Sequence, residues 1–444
     1  MQSQPAPVPT VLPLREAELQ HLLVAYVITG LLFMLLPGTF LGVWNLISIS
    51  SEHSISSLSA SWIQAHGHAQ IFGWIGTFII GIGYYSLSKM GTIAPFAVSR
   101  GWLSWSLWTC GVTLRWVANV SLWQWRILLP LSAGAELAAF LIFFFTVSRH
   151  RSGGARPRVE AWMVLVIAST AGFLILLLLN AAIVARLAMA GENPEFPHWL
   201  DQRFLVLATW GFPVLAVWGF NARWLPAFMG LKPALDGSLL AGLAWCGLGV
   251  IAALAGNFHI ASAFLIIASI TAPLALNVFE RAQKPPQLQG VHPAFPVFIR
   301  LCYIWLAIAA ILSAWASTAD RNGGMWGASR HALTVGFLAG MIFAIGPRIL
   351  PVFCGGRQLF SPRLMFGACS LLNLGCLLRV SSEIPAYEGF AQKAWGVLPY
   401  SAVVELIAVS LFAFNLALSL AHRAQPVTDA RLYTISFSKR PKQI

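Results

Sequence analysis

Twelve stretches of about 20 apolar residues recur along this chain, and that repetition restricts its fold more than any other feature. A segment of that length in lipid finds no water for its backbone polar groups, so it must close its own hydrogen bonds as a helix. The stretches run roughly over 22–48, 67–88, 101–119, 127–148, 161–185, 200–222, 237–256, 258–279, 294–317, 331–353, 363–380 and 395–421. The break between the seventh and eighth rests on Gly256-Asn257 alone. The expected fold is all-α, a polytopic bundle of about twelve transmembrane helices forming a single domain over 21–422. A polar N-terminal segment, 1–20, precedes it, and a basic tail, 423–444, is expected to lie on the inner leaflet. The first twenty residues lack an apolar core, so no cleavable signal peptide is expected.

Charge supports the same reading. Only 10% of residues are charged, against roughly a quarter in a soluble domain. The net charge of +13 is spread over loops, with no basic domain or aromatic-interleaved patch, and nucleic acid is therefore excluded as a partner. With the N-terminus inside, 20 of the 28 basic residues fall on the inner side of the twelve-span arrangement. That bias favours both termini inside, and the expected location is a bacterial inner membrane. The six cysteines form no Cys-x-x-Cys pair and mostly sit in apolar segments, which makes them inert buried thiols.

The histidines carry the chemistry. Imidazole is costly to bury in lipid and is the commonest neutral metal ligand. The segment His66-Gly-His68-Ala-Gln-Ile-Phe-Gly73-Trp74-Ile-Gly76 opens span two, and His331 opens span ten. His198 and His259 stand at the outer ends of spans six and eight. There a lone histidine is ordinarily an interfacial residue bonded to water or backbone, which is the plainer reading of both. His68 and His331 share a pattern instead, each followed by glycine at i+5 (Gly73 and Gly336) and by further glycines, Gly76, Gly81, Gly340 and Gly346. Missing side chains let a flat macrocycle or a neighbouring helix come close to the backbone.

His66 and His68 are two residues apart, about 200° of helical rotation, so they cannot ligate one iron together. The expectation is a haem between His68 and His331, with His66 turned elsewhere, toward a second metal. Arg203 and Arg330, at helix ends, are candidate partners for haem propionates. Glu136 and Glu405 fall mid-membrane, where a carboxyl is either functional or protonated and hydrogen-bonded between helices. Asn180 and Asn277 read as interhelical hydrogen-bonders.

Two motifs resemble known families. His66-x-His68-x4-Gly73-Trp74-x-Gly76-x4-Gly81-x2-Tyr84-Tyr85 is similar to the metal-binding helix of haem-copper oxidase catalytic subunits, especially the cbb3 type. Arg330-His331-Ala-Leu-Thr-Val-Gly336 through Gly346-Pro347-Arg348 resembles a helix of the NnrS family of twelve-span, haem- and copper-associated membrane proteins linked to nitric oxide tolerance. Arg203-Phe-Leu-Val-Leu-Ala-Thr-Trp210-Gly-Phe-Pro213 to Arg223-Trp224-Leu-Pro226 is similar to the same family. The resemblance implies a bundle like that of oxidase subunit I and a haem, expected to be b-type. It implies ligation by His66, His68 and His331, and a gaseous ligand such as nitric oxide. Copper is the second metal it raises, with His198 and His259 as the further histidines that could take part.

Departures from the oxidase pattern bear on activity. An oxidase copper site needs an adjacent His-His pair, and this chain has none. A divergent oxidase or nitric oxide reductase catalytic subunit therefore ranks second to an NnrS-type haem protein, and oxidoreductase activity stays an open expectation. A twelve-span secondary transporter is the third reading. The loop Lys89–Arg100 lacks the acidic-basic signature of such carriers, and no six-plus-six repeat is visible.

Overall fold

The computed structural model describes residues 11–89, 95–149 and 159–421. The basic tail and most of the N-terminal segment named above lie outside them. Among the described residues eleven helices are long and apolar enough to cross a membrane. A twelfth, Val98–Ser121, has the length, but serines, Arg100 and Arg115 dilute its apolar character. Together they make the twelve spans that the apolar periodicity predicts, in an all-helical bundle. Spans three and four, seven and eight, and eleven and twelve pack as hairpins, and span twelve closes back on span one.

Several boundaries move. The first helix begins at Val11 rather than after residue 20, and span one reaches Glu52. Span two starts at Ala60, so His66 and His68 lie a turn or more inside it rather than at its mouth. The weak break between spans seven and eight holds. Gly256 takes a left-handed φ of 86°, and the Asn257 side chain caps span eight by accepting from the Ile260 amide. Arg115 and Arg379 are buried within spans three and eleven.

Four spans are not regular α-helices. Spans one, two, six and ten contain π-helical segments at Met34–Phe40, Ala69–Gly76, Trp210–Val214 and Ala332–Ala339. Pro37 and Pro213 remove a backbone donor in two of them. In spans two and ten the segment begins directly after His68 and His331. The shared His-x4-Gly spacing is thus a trace of π geometry, in which i to i+5 is the hydrogen-bonded step.

The glycines of these segments admit side chains of neighbouring helices. A Cβ on Gly73 would stand 3.0 Å from Phe33, and one on Gly336 would collide with the Trp305 ring. Of the two uses that glycine allowed here, close packing of aromatic side chains is the one realised at both positions.

Candidate functional site

Spans two, six and ten turn their π segments toward a cavity of about 300 Å³, which also reaches spans one, three, eleven and twelve. His66, His68 and His331 all line it, as do Arg330 and Trp74. His198 and His259 do not. Both are exposed, and His259 Nδ1 lies 3.1 Å from Ser317 Oγ. Arg203 is also elsewhere: it donates to the Leu254 carbonyl at 3.3 Å, closing the end of span seven, and stacks over Trp199. Arg330 is at the cavity but is occupied by Gln202 and Asp201.

The two histidines of span two face opposite walls, as their rotation requires. His66 Nδ1 lies 2.9 Å from the Gly38 carbonyl in the π segment of span one, and His66 is within electrostatic range of His331 and Arg379. Gly42 makes this approach possible, since a Cβ there would stand 2.5 Å from His66 Cε1. His68 turns to spans three to five. It stacks on Phe72 with centroids 4.3 Å apart, and its Nε2 stands 3.1 Å from Glu136 Oε1.

The tautomers of His66 and His331 follow from their partners. His331 Nδ1 lies 2.8 Å from the Gly327 carbonyl and 3.0 Å from Glu383 Oε2. The Gly38 and Gly327 carbonyls can only accept, so each Nδ1 must donate. Each neutral ring then keeps its lone pair on Nε2. An anchored Nδ1–H and a bare Nε2 is the arrangement by which outer partners orient a metal-ligating imidazole.

Behind His331 lies a buried charge group that the sequence reading did not single out. Arg379 Nη2 donates to Glu383 Oε1 at 3.4 Å, and the two are i,i+4 partners on span eleven. Arg379 is 8% exposed and Glu383 2%. Glu405 joins from span twelve, seated against Gly375, where a Cβ would stand 2.6 Å from Glu405 Cγ. Glu383 has a collision-free seat only because Gly327 lacks a side chain. The available signal was an Arg-x3-Glu pair inside an apolar stretch, which is rare enough to mark a site.

All six cysteines are free thiols and five are buried, in keeping with inert packing groups. Cys354, just beyond span ten, shows why: burial pushes its thiol up to about 12, although Arg357 pulls the other way.

A haem fits these residues on three counts. Two imidazoles with bare Nε2 atoms share one cavity. Gly67 of that wall would point a Cβ into open space, leaving room beside His66. Arg379 keeps Nε and Nη1 buried without a well-formed hydrogen bond, a cationic edge suited to an anionic substituent. Among the described residues no three His, Cys, Asp or Glu side chains converge as a metal site.

Comparison with known proteins follows the same line. A solved haem-copper terminal oxidase dimer superposes with a TM-score of 0.72, covering 91% of this chain and 84% of that one, at 11% identity. The fold is haem-copper-oxidase-like. A family model described as a domain of unknown function (DUF8744) matches residues 199–415 of this oxidase-like bundle, which include His331 and Arg379. None of the curated proteins matches the sequence.

Proposed function

We propose that this protein is an NnrS-type, haem-binding integral membrane protein of the bacterial inner membrane, with both termini inside, acting in the response to nitric oxide or other nitrogen oxides. One observation carries the haem part: His66 and His331, on different spans, both line one cavity while carbonyls hold their Nδ1–H groups. The nitric oxide part rests on the Arg330-His331-Ala-Leu-Thr-Val-Gly336 resemblance.

In this reading His66 and His331 would hold the haem iron and Arg379 would pair with a propionate. A haem so held supplies one-electron exchange, and its potential depends on the hydrogen bonds of its ligands. Glu383 would tune that potential through the His331 Nδ1–H, with Arg379 offsetting the carboxylate charge beside it. The aromatic and aliphatic lining, Phe72, Trp74 and Leu205 among it, limits water while admitting a small uncharged gas.

An absorption spectrum of the purified protein tests the proposal. A Soret band with low-spin, bis-histidine features is expected, with nitric oxide perturbing it and little oxygen consumption. A colourless protein that carries solute would return the transporter reading. Robust cyanide-sensitive oxygen uptake would favour the oxidase reading.

A further inference from the structure

Opposite the His66 wall, four buried polar side chains meet from four spans. They are His68 of span two, Arg115 of span three, Glu136 of span four and Asn180 of span five, with exposures of 8%, 3%, 0% and 1%. Asn180 Nδ2 donates to Glu136 Oε2 at 3.5 Å. His68 Nε2 and Glu136 Oε1 are close, but the contact lies off the line of a hydrogen bond. Arg115 stacks over Phe196 at 4.9 Å and is within electrostatic range of Glu136, yet its Nε and Nη1 have no hydrogen-bond partner. Asn180 Oδ1 is also without one. Five buried polar atoms in one cluster are thus unsatisfied by protein.

Leaving such groups unmet costs about 1–3 kcal/mol each, and more where they are charged. Their chemistry restricts what can satisfy them. The guanidinium N–H groups only donate, while the Asn180 carbonyl oxygen and an ionised Glu136 only accept. A bridging molecule must therefore accept from Arg115 and donate to Glu136. The opposite charges of Arg115 and Glu136 already balance, so an added anion or cation would bury a net charge. Phe72, Trp108 and Phe173 form an aromatic wall beside the cluster, their centroids 5.7–6.3 Å apart.

We propose that bound water bridges Arg115 to Glu136 and Asn180, forming a hydrated chamber on the span three-to-five side of span two. It meets the main cavity at His68 and Arg115, both of which line that cavity. The chamber links the cavity wall to a buried carboxylate by hydrogen bonds, and it stands whether or not a haem occupies the opposite wall.

A cryo-electron microscopy map of the full-length protein at a resolution that shows ordered water tests this. At least one water within hydrogen-bond reach of both Arg115 and Glu136 is expected. The charge-free double variant Arg115→Met/Glu136→Leu should lose those peaks. A direct Arg115–Glu136 contact, or a single strong peak held by Arg115 alone and responding to added halide, would overturn the proposal. Should the double variant not fold, the wild-type map alone decides between these outcomes.

Discussion

His331 Nδ1 stands 3.0 Å from Glu383 Oε2, and that carboxylate is in turn 3.3 Å from Arg379 Nε. A single buried carboxylate thereby orients the imidazole and neutralises the guanidinium. Removing it by Glu383→Ala leaves Arg379 uncompensated in a low-dielectric interior, and a loss of about 3–5 kcal/mol is expected. Thermal unfolding in detergent measures it. A melting temperature within error of wild type would contradict the pairing.

His66→Ala should abolish the low-spin haem spectrum, and His68→Ala should leave it in place. The basis is that His66, with its Nδ1 on the Gly38 carbonyl, shares the His331 side of span two, while His68 faces Glu136. Pyridine haemochrome content per folded protein, together with the visible spectrum, separates the two. Haem loss confined to the His68 variant would reverse the assignment.

Gly42→Ala is expected to act on haem without touching a ligand. The added methyl stands within 2.5 Å of His66 Cε1, so either the ring or span one must shift. Overpacking of this kind costs about 1–3 kcal/mol. Here it should also lower haem occupancy, which is read from the Soret-to-protein absorbance ratio. An unchanged ratio would show that His66 does not need this seat.

Gly336→Ala provides the contrast. Its Cβ collides with Trp305, whose Nε1 donates to Asn373 Oδ1 at 3.0 Å. A stability loss of about 1–3 kcal/mol is expected, with haem per folded molecule unchanged. Selective haem loss with normal stability would mean that this glycine borders the macrocycle after all.

His198→Ala and His259→Ala should alter neither metal content nor spectrum, because both residues are exposed and away from the cavity. Metal analysis of the purified variants checks this. A drop in copper or iron in either would restore the further-ligand reading.

The apolar periodicity by itself determined the all-helical class and the number of spans, because lipid offers the backbone no other solution. It also located His66, His68 and His331 and the carboxylates Glu136 and Glu405, since polar groups stand out against an apolar background. Rotation along a helix is local geometry, so the opposite facing of His66 and His68 was legible as well. Which of them meets span ten was not, because that depends on where span one places the Gly38 carbonyl and Gly42. The π segments were visible only as an unexplained i+5 spacing. Tertiary structure alone brought Glu383, Arg379 and Glu405 behind His331, and Arg115 beside Glu136. Most of those groups come from different, though neighbouring, spans, and only the packing of the bundle decides which faces of them meet.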